Sequence, residues 1–353
     1  MKNNKLFKFG VIALSIVLVA CAGGSADEAG CPVIEDRKIN VVATTPMIGE
    51  FVSQVGGDNI NLTVIMPPEA DPHTYEPAPQ DAGTIADADL VFYTGLKYEP
   101  AAVIKLLESS ACSTEVLAEV GENVFPIEFK EGGHDDHGDH DDHGDHDDHD
   151  EEGHDDEEGH DDEEGHDDHD GHEGHGHGAY DPHFWFDPNR VAYAAEYIES
   201  KLVEFDPSNA SSYETAGSAY TDELKGLTGQ VSDLISTVPS QNRKLITTHE
   251  SLGYLEAKFG LEVLSTIIPS LDSANEISPA QLVDVIDVIE DNNVKVIFIE
   301  AEAPSVYAET IVAETGIKAV EGLWVETLKE GQSYPDFLIS AVELIVENLR
   351  NTD

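Results

Sequence analysis

The chain has 353 residues, with 72 acidic side chains against 18 basic ones, a formal charge of −54, and only three cysteines. That balance argues against nucleic acid and an anionic membrane surface as charge-held partners and favours attraction of cations. The length allows two domains of ordinary size, each able to bury a core.

Residues 1–20 read as an export signal: Lys2, Lys5 and Lys8 flank the start of an apolar run, Phe9 to Ala20, too short to span a bilayer as a mature helix. The run ends in LVAC, which resembles a bacterial lipobox, so cleavage before Cys21 would leave a lipidated cysteine with enough acyl chain for stable anchoring. The alternative is an ordinary secretory signal with a chance cysteine. Residues 21–38 begin small and polar and read as the lipidated tether. Cys31 and Cys112 remain, in a chain expected outside the cytosol, where disulfides persist. A bridge and two free thiols both stay open, and no CxxC or Cys/His spacing marks them as zinc ligands.

From residue 39 strand-like and helix-like segments alternate. INVVATT (39–45), LTVIMP (62–67) and DLVFYTG (89–95) are β-rich runs, and the helical patterns PMIGEFVSQVGG, APQDAGTIADA and EPAAVIKLLES follow them in turn. Such alternation predicts βαβ units and a mostly parallel sheet, the N-terminal lobe over 39–205. Residues 131–178 interrupt it with 24 acids, 13 of the chain's 16 histidines, and no lysine or arginine. Within them HDDHGDHDDHGDHDDH repeats a histidine at every third position from 134 to 149. So few apolar groups cannot offset the entropy of ordering, which predicts a disordered insertion. Without it 48 acids still face 18 bases, a charge of −30, so the globular part is acidic in its own right.

Asp187-Pro188 and Asp206-Pro207 each read as a helix start, an acidic cap with proline in the first turn. After the second, Tyr213, Ala216, Tyr220, Leu224, Leu227, Val231, Leu234 and Val238 recur at steps of three or four. That spacing predicts one long connecting helix over 206–238, weakened by Gly217, Gly226 and Gly229 and ended by Pro239. A second alternating set fills 239–353: strands KLITTH (244–249), LEVLSTI, VKVIFIE (294–300) and KAVEGLWV, with helices between and a closing helix over 335–350. The expected fold is α/β, two similar (β/α) lobes with parallel-type sheets joined by one long helix. The cleft between them, at the carboxyl ends of strands, is the expected ligand site.

Three histidines stand outside the tract: His73 in DPHTYEP, His183 in DPHFWFDP and His249 in THESLGYL. A single such histidine is more often a satisfied core residue. Three in similar settings, with none left over, point to a shared site. Proline stiffens both Asp-Pro-His loops before any ligand arrives, which suits an imidazole that must meet a metal at a fixed distance and angle. Asp71 and Asp181 are candidates to orient those rings, or equally to cap turns.

This constellation resembles the metal-binding family of ABC-transporter substrate-binding lipoproteins, specifically its zinc branch, over most of the mature chain. The loops EADPHTYEPAPQD, DPHFWFDP and THESLGYLEAKFGL carry the likeness, in this order and behind a lipobox, with a histidine-rich acidic insertion before the second. The resemblance implies two (β/α) lobes bridged by one helix, with His73, His183 and His249 as metal ligands. Manganese members carry a carboxylate where His249 stands, so the imidazole there favours Zn²⁺ over Mn²⁺. The family often places an aspartate late in the second lobe. Here WVETLKEG offers Glu326 for that position, with water the alternative and Glu300 and Glu250 weaker candidates. The implied function is a non-catalytic, monomeric, extracytoplasmic zinc receptor, held to the membrane through Cys21, that delivers its ion to an ABC permease. A zinc hydrolase is the rival reading, since three histidines and an open position can activate water, but HExxH and a nucleophile elbow are both missing and only Glu250 stands beside a ligand. A surface adhesin or zinc buffer is a third. The tract is expected to collect or sense zinc, against the plainer reading of a tolerated spacer.

Overall fold

The computed structural model describes residues 31, 34, 37–129, 180–303 and 305–350. The expected export signal, the lipobox, most of the tether and the whole histidine-acid tract lie outside the described residues.

The first lobe runs β1 (Ile39–Ala43), α1 (Pro46–Gly56), β2 (Ile60–Val64), α2 (Asp81–Ala86), β3 (Leu90–Tyr93), α3 (Ala101–Ser110) and β4 (Leu117–Glu119). Its strands pair in the order β2-β1-β3-β4, all parallel. The chain therefore passes from one side of β1 to the other, and the crevice at that switch is where loops at strand carboxyl ends gather. Helix α1 starts where Thr45 accepts a hydrogen bond from the Ile48 amide and Pro46 takes the first turn. Strand β4 has no counterpart among the expected elements. Its three residues offer too little alternation to stand out, and it exists because Ala118 packs on a sheet already formed.

Helix α4 (Pro188–Phe205) is capped by Asp187, whose carboxylate accepts from the Asn189 amide. Asp206-Pro207 opens a short 3₁₀ turn over 207–209, and only then does α5 (Ala210–Ser236) begin. Its 27 residues span about 40 Å. Its buried face is Tyr213, Gly217, Tyr220, Leu224, Leu227, Val231 and Ile235. Gly217 and Ile235 thus take the inward places that the spacing assigned to Ala216 and Leu234. Gly226 and Gly229 lie exposed, with nothing near a prospective Cβ and no left-handed backbone. Gly226→Ala and Gly229→Ala are each expected to stabilise the fold by about 1 kcal/mol, read as a raised urea midpoint at unchanged slope.

The second lobe comprises β5 (Lys244–His249), α6 (Gly253–Phe259), β6 (Glu262–Ile268), α7 (Pro279–Asp291), β7 (Val296–Glu300), α8 (Ala308–Thr315), β8 (Lys318–Leu323) and α9 (Tyr334–Leu349). Its order, β6-β5-β7-β8 and all parallel, repeats that of the first lobe. Helix α7 begins with a full capping box between Ser278 and Gln281.

Each sheet is covered on both faces. One face of each has its own core: Val42, Ile85, Val91 and Leu107 under α2 and α3, and Ile246, Val285, Ile297 and Ile311 under α7 and α8. The other two faces share a single core that runs through α1, α4, α5 and α9. Phe51 of α1 meets Tyr334 of α9 edge to face at 5.3 Å, and Phe186 meets Phe337 at 5.8 Å. A close-packed core continuous between the lobes resists wide opening, because interiors transmit strain and do not stretch. Cys31 and Cys112 are joined in a disulfide that ties the chain before β1 to the end of α3. Among the described residues no helix is long and apolar enough to cross a membrane.

Candidate metal centre

His73 sits in the irregular stretch between β2 and α2. There Asp71 folds the loop back on itself, one carboxylate oxygen accepting from the His73 amide at 3.0 Å and the other from the Thr74 hydroxyl at 3.1 Å. His183 precedes a 3₁₀ turn over Phe184–Phe186 that leads into α4. His249 is the last residue of β5, and Glu326 lies between β8 and α9. All four therefore project from loops or strand ends that face the cleft between the sheets, two from each lobe.

The four side chains converge. One ligand atom from each lies within 4.8 Å of the others. Glu326 Oε1 is 3.3 Å from His73 Nε2, 3.2 Å from His183 Nε2 and 2.7 Å from His249 Nε2. Two of these separations match the edge of about 3.3 Å that bonds of 2.0 to 2.1 Å give in a tetrahedron. The short His249 contact runs at an angle that leaves Nε2 without a hydrogen-bond partner. The side chains of His183, His249 and Glu326 are fully buried and that of His73 is 4% exposed. A cavity of about 800 Å³, lined by Lys97, Tyr98, Ile104, Lys105 and Asp272 among others, reaches His73 from outside.

Two of the rings are backed by carboxylates. Asp181 Oδ1 lies 2.8 Å from His183 Nδ1 and also accepts the His183 amide, so it both orients the ring and closes the turn. Glu300 Oε2 lies 2.5 Å from His249 Nδ1, while its other oxygen accepts from the His249 amide and the Ser251 hydroxyl. With the Nδ1 protons given to these carboxylates, both Nε2 lone pairs face Glu326. Lone pairs packed against a carboxylate repel one another unless a cation or protons lie between them.

On the far side Tyr98, buried on the loop after β3, donates its hydroxyl to Glu326 Oε2 at 2.9 Å and lies 3.0 Å from the Glu326 carbonyl. One oxygen of Glu326 thus faces the histidines while the other is held. Gly253, the first residue of α6, approaches Asp181 so closely that a Cβ there would stand 2.6 Å from Oδ2. Gly253→Ala is expected to push Asp181 off His183 and weaken metal binding about tenfold, as loss of an outer-shell partner does, while a chelator-treated sample melts nearly as before. Calorimetric titration beside a thermal melt reads both.

Burial opposes charge on His183, yet the Glu326 charge and bonds to Asp181 and Glu326 raise its pKa to about 9. Burial likewise opposes charge on His249, and Glu300 with Glu326 overcomes it, holding that ring's pKa well above the ordinary range. For Glu326 burial favours the neutral acid, but the charges of His183 and His73 hold its carboxyl well below the usual range. Glu250 and Glu302 are pushed up to about 7, in each case chiefly by burial.

Of the weaker candidates, Glu300 stands behind His249 and outside the cluster of four. Glu250 accepts from the Thr266 hydroxyl and is likewise outside it. Tyr98 and Gly253 both touch site residues and carry no mark in the sequence, because each acts on a residue far along the chain. The Tyr98 bond to Glu326, for instance, crosses 228 positions.

The family model described as ZnuA, zinc-uptake complex component A, periplasmic, matches residues 41–348. The manganese ABC transporter substrate-binding lipoprotein PsaA of Streptococcus mitis is 28% identical over 355 aligned positions, covering 98% of this chain and 99% of that protein. The high-affinity zinc uptake system protein ZnuA of Bacillus subtilis is 30% identical over 356 positions, covering 96% of each. In fold the chain resembles the periplasmic zinc-binding protein TroA of Treponema pallidum, with a TM-score of 0.69, 20% identity, and coverage of 89% of this chain and 100% of that one.

Proposed function

The chain belongs to the periplasmic zinc-uptake component A family of metal ABC-transporter substrate-binding proteins, and we propose that its cargo is Zn²⁺, held by His73, His183, His249 and Glu326. The observation that carries this reading is the convergence of three imidazole nitrogens on one oxygen of Glu326 in a buried cleft. Relatives are named for zinc and for manganese, so the choice rests on the donor set. Three nitrogens and one oxygen suit tetrahedral Zn²⁺, whereas Mn²⁺ prefers more oxygen and a higher coordination number. Tyr98 engages the second Glu326 oxygen, which favours one-oxygen coordination.

Four protein ligands also fill a zinc tetrahedron. Catalytic zinc keeps a position open for water, so a closed set supports a binding role over the hydrolase reading. The chain then acts as an extracytoplasmic receptor that hands its ion to a membrane permease, anchored through Cys21. The Cys31–Cys112 disulfide supports an oxidising location.

Equilibrium competition between Zn²⁺ and Mn²⁺, followed by metal analysis, tests the choice of cargo. One tight zinc site, with manganese orders of magnitude weaker, is expected; equal or tighter manganese binding overturns it. Deleting residues 134–177 tests the tract. The tight site is expected to survive unchanged while the weaker extra equivalents disappear, since imidazoles on an unscaffolded segment must pay ordering entropy on binding. Loss of the tight site on deletion would instead place the primary site in the tract.

A further inference from the structure

We propose that Glu302, which touches no ligand atom of the metal, is the residue that positions Glu326, and so tunes the affinity of the site. The inference rests on the metal-site reading above and deepens it.

Residues 325–327 lie in the connection between β8 and α9. Val325, Glu326 and Thr327 are each fully buried. Their three successive amides point at one atom, Glu302 Oε1, at 3.0, 3.0 and 3.3 Å. Successive N–H groups wrapped around one anionic oxygen form a nest, a local geometry that an acceptor at its centre holds in place. Buried amides without an acceptor are rare and costly, so removing Glu302 leaves these three amides unsatisfied and favours a change in the turn.

The carbonyls of the same turn are held from the other side. Trp185 Nε1 donates to the Val325 carbonyl at 2.7 Å, and Tyr98 reaches the Glu326 carbonyl. Trp185 and Tyr98 belong to the first lobe, and Glu302 follows β7 in the second. Glu302 is therefore the side chain by which the second lobe holds Glu326 against the three histidines. Its other oxygen is buried without a hydrogen-bond partner among the described residues, so the gathered amides are what engages the carboxylate.

The test is a double-mutant cycle on zinc affinity, measured by chelator competition on the full chain with thermal melts alongside. The unaltered protein comes first: if it binds no zinc tightly, the metal-site reading fails and Glu302 is not at issue. Glu302→Ala is expected to lower affinity about 10- to 100-fold, as loss of an outer-shell partner does. In a Glu326→Ala background the same change is expected to cost no more than about twofold, because the group it positions is gone. In a His73→Ala background it keeps its full effect. Glu302→Gln, which retains a carbonyl oxygen for the amides, is expected to restore most of the affinity. Losses that multiply in the Glu326→Ala background, or equal losses in both backgrounds, overturn the proposal, since general loosening of the lobe would act that way. If Glu302→Ala does not fold, the same cycle with Glu302→Asp, which withdraws the oxygen by one methylene, decides the matter.

Discussion

His249→Ala is expected to lower zinc affinity by about 1,000-fold or more, the largest effect of any single substitution at the site. A structural zinc site is worth about 10 to 16 kcal/mol, so one ligand of four carries roughly 2.5 to 4 kcal/mol, and each 1.4 kcal/mol is tenfold. His249 should lie at or above the top of that range for a second reason. Its Nδ1 is the partner of Glu300, which is 1% exposed, and the alanine would leave that carboxylate with only the residue-249 amide and the Ser251 hydroxyl. Metal bound in the variant would also have no ring between it and Glu300. His73→Ala offers the contrast. His73 borders the outer cavity, where water can take the vacated position, and among the described contacts no carboxylate backs its ring, so a loss nearer 100-fold is expected. Competition against chelators of graded strength measures both. Tight zinc binding retained by His249→Ala would remove this ring from the site and the four-ligand reading with it.

The outline of the fold was legible because its period is simple. Apolar runs such as VIFIE and LVFY lie buried within parallel sheets, and proline and glycine punctuate the helices. The histidine loops were legible for a different reason: once the tract is set aside, only three histidines remain, and two follow Asp-Pro. What the sequence hid are relations across the chain. Asp71 and Asp181 occupy the same place in the same tripeptide, yet Asp181 reaches its ring and Asp71 bonds the His73 amide and Thr74. The difference comes from the second lobe, where Gly253 lies against Asp181 and the Tyr254 hydroxyl bonds the Asp181 carbonyl. Glu326 shows the same limit. Only resemblance singled it out among 72 acids, because its role depends on Tyr98 and Glu302, neither of which lies near it in sequence.

Zinc binding is expected to release about two protons near neutral pH, so that affinity falls about 100-fold for each unit of acidification. Without metal, His183 holds its proton up to about pH 9, and Glu300 with Glu326 favours the protonated ring of His249 as well. Their charges sit among Glu326, Asp181 and Glu300. A divalent ion that displaces both protons leaves the net charge of this buried group unchanged. That exchange avoids the cost of adding charge to a site closed from water, which is severe in a low-dielectric interior. The sign follows directly: the metal-free state binds more protons than the metal-bound state, so affinity rises with pH, steeply below about 9, where His183 titrates, and with a shallower slope above it. The same balance suits a protein that must let go of its ion, since protons returning to His183 and His249 stabilise the emptied site. Calorimetric titrations in buffers of different ionisation enthalpy count the protons directly. A count near zero at pH 7 would mean that both rings are already neutral before the metal arrives, and the exchange of charge for charge would have to be abandoned.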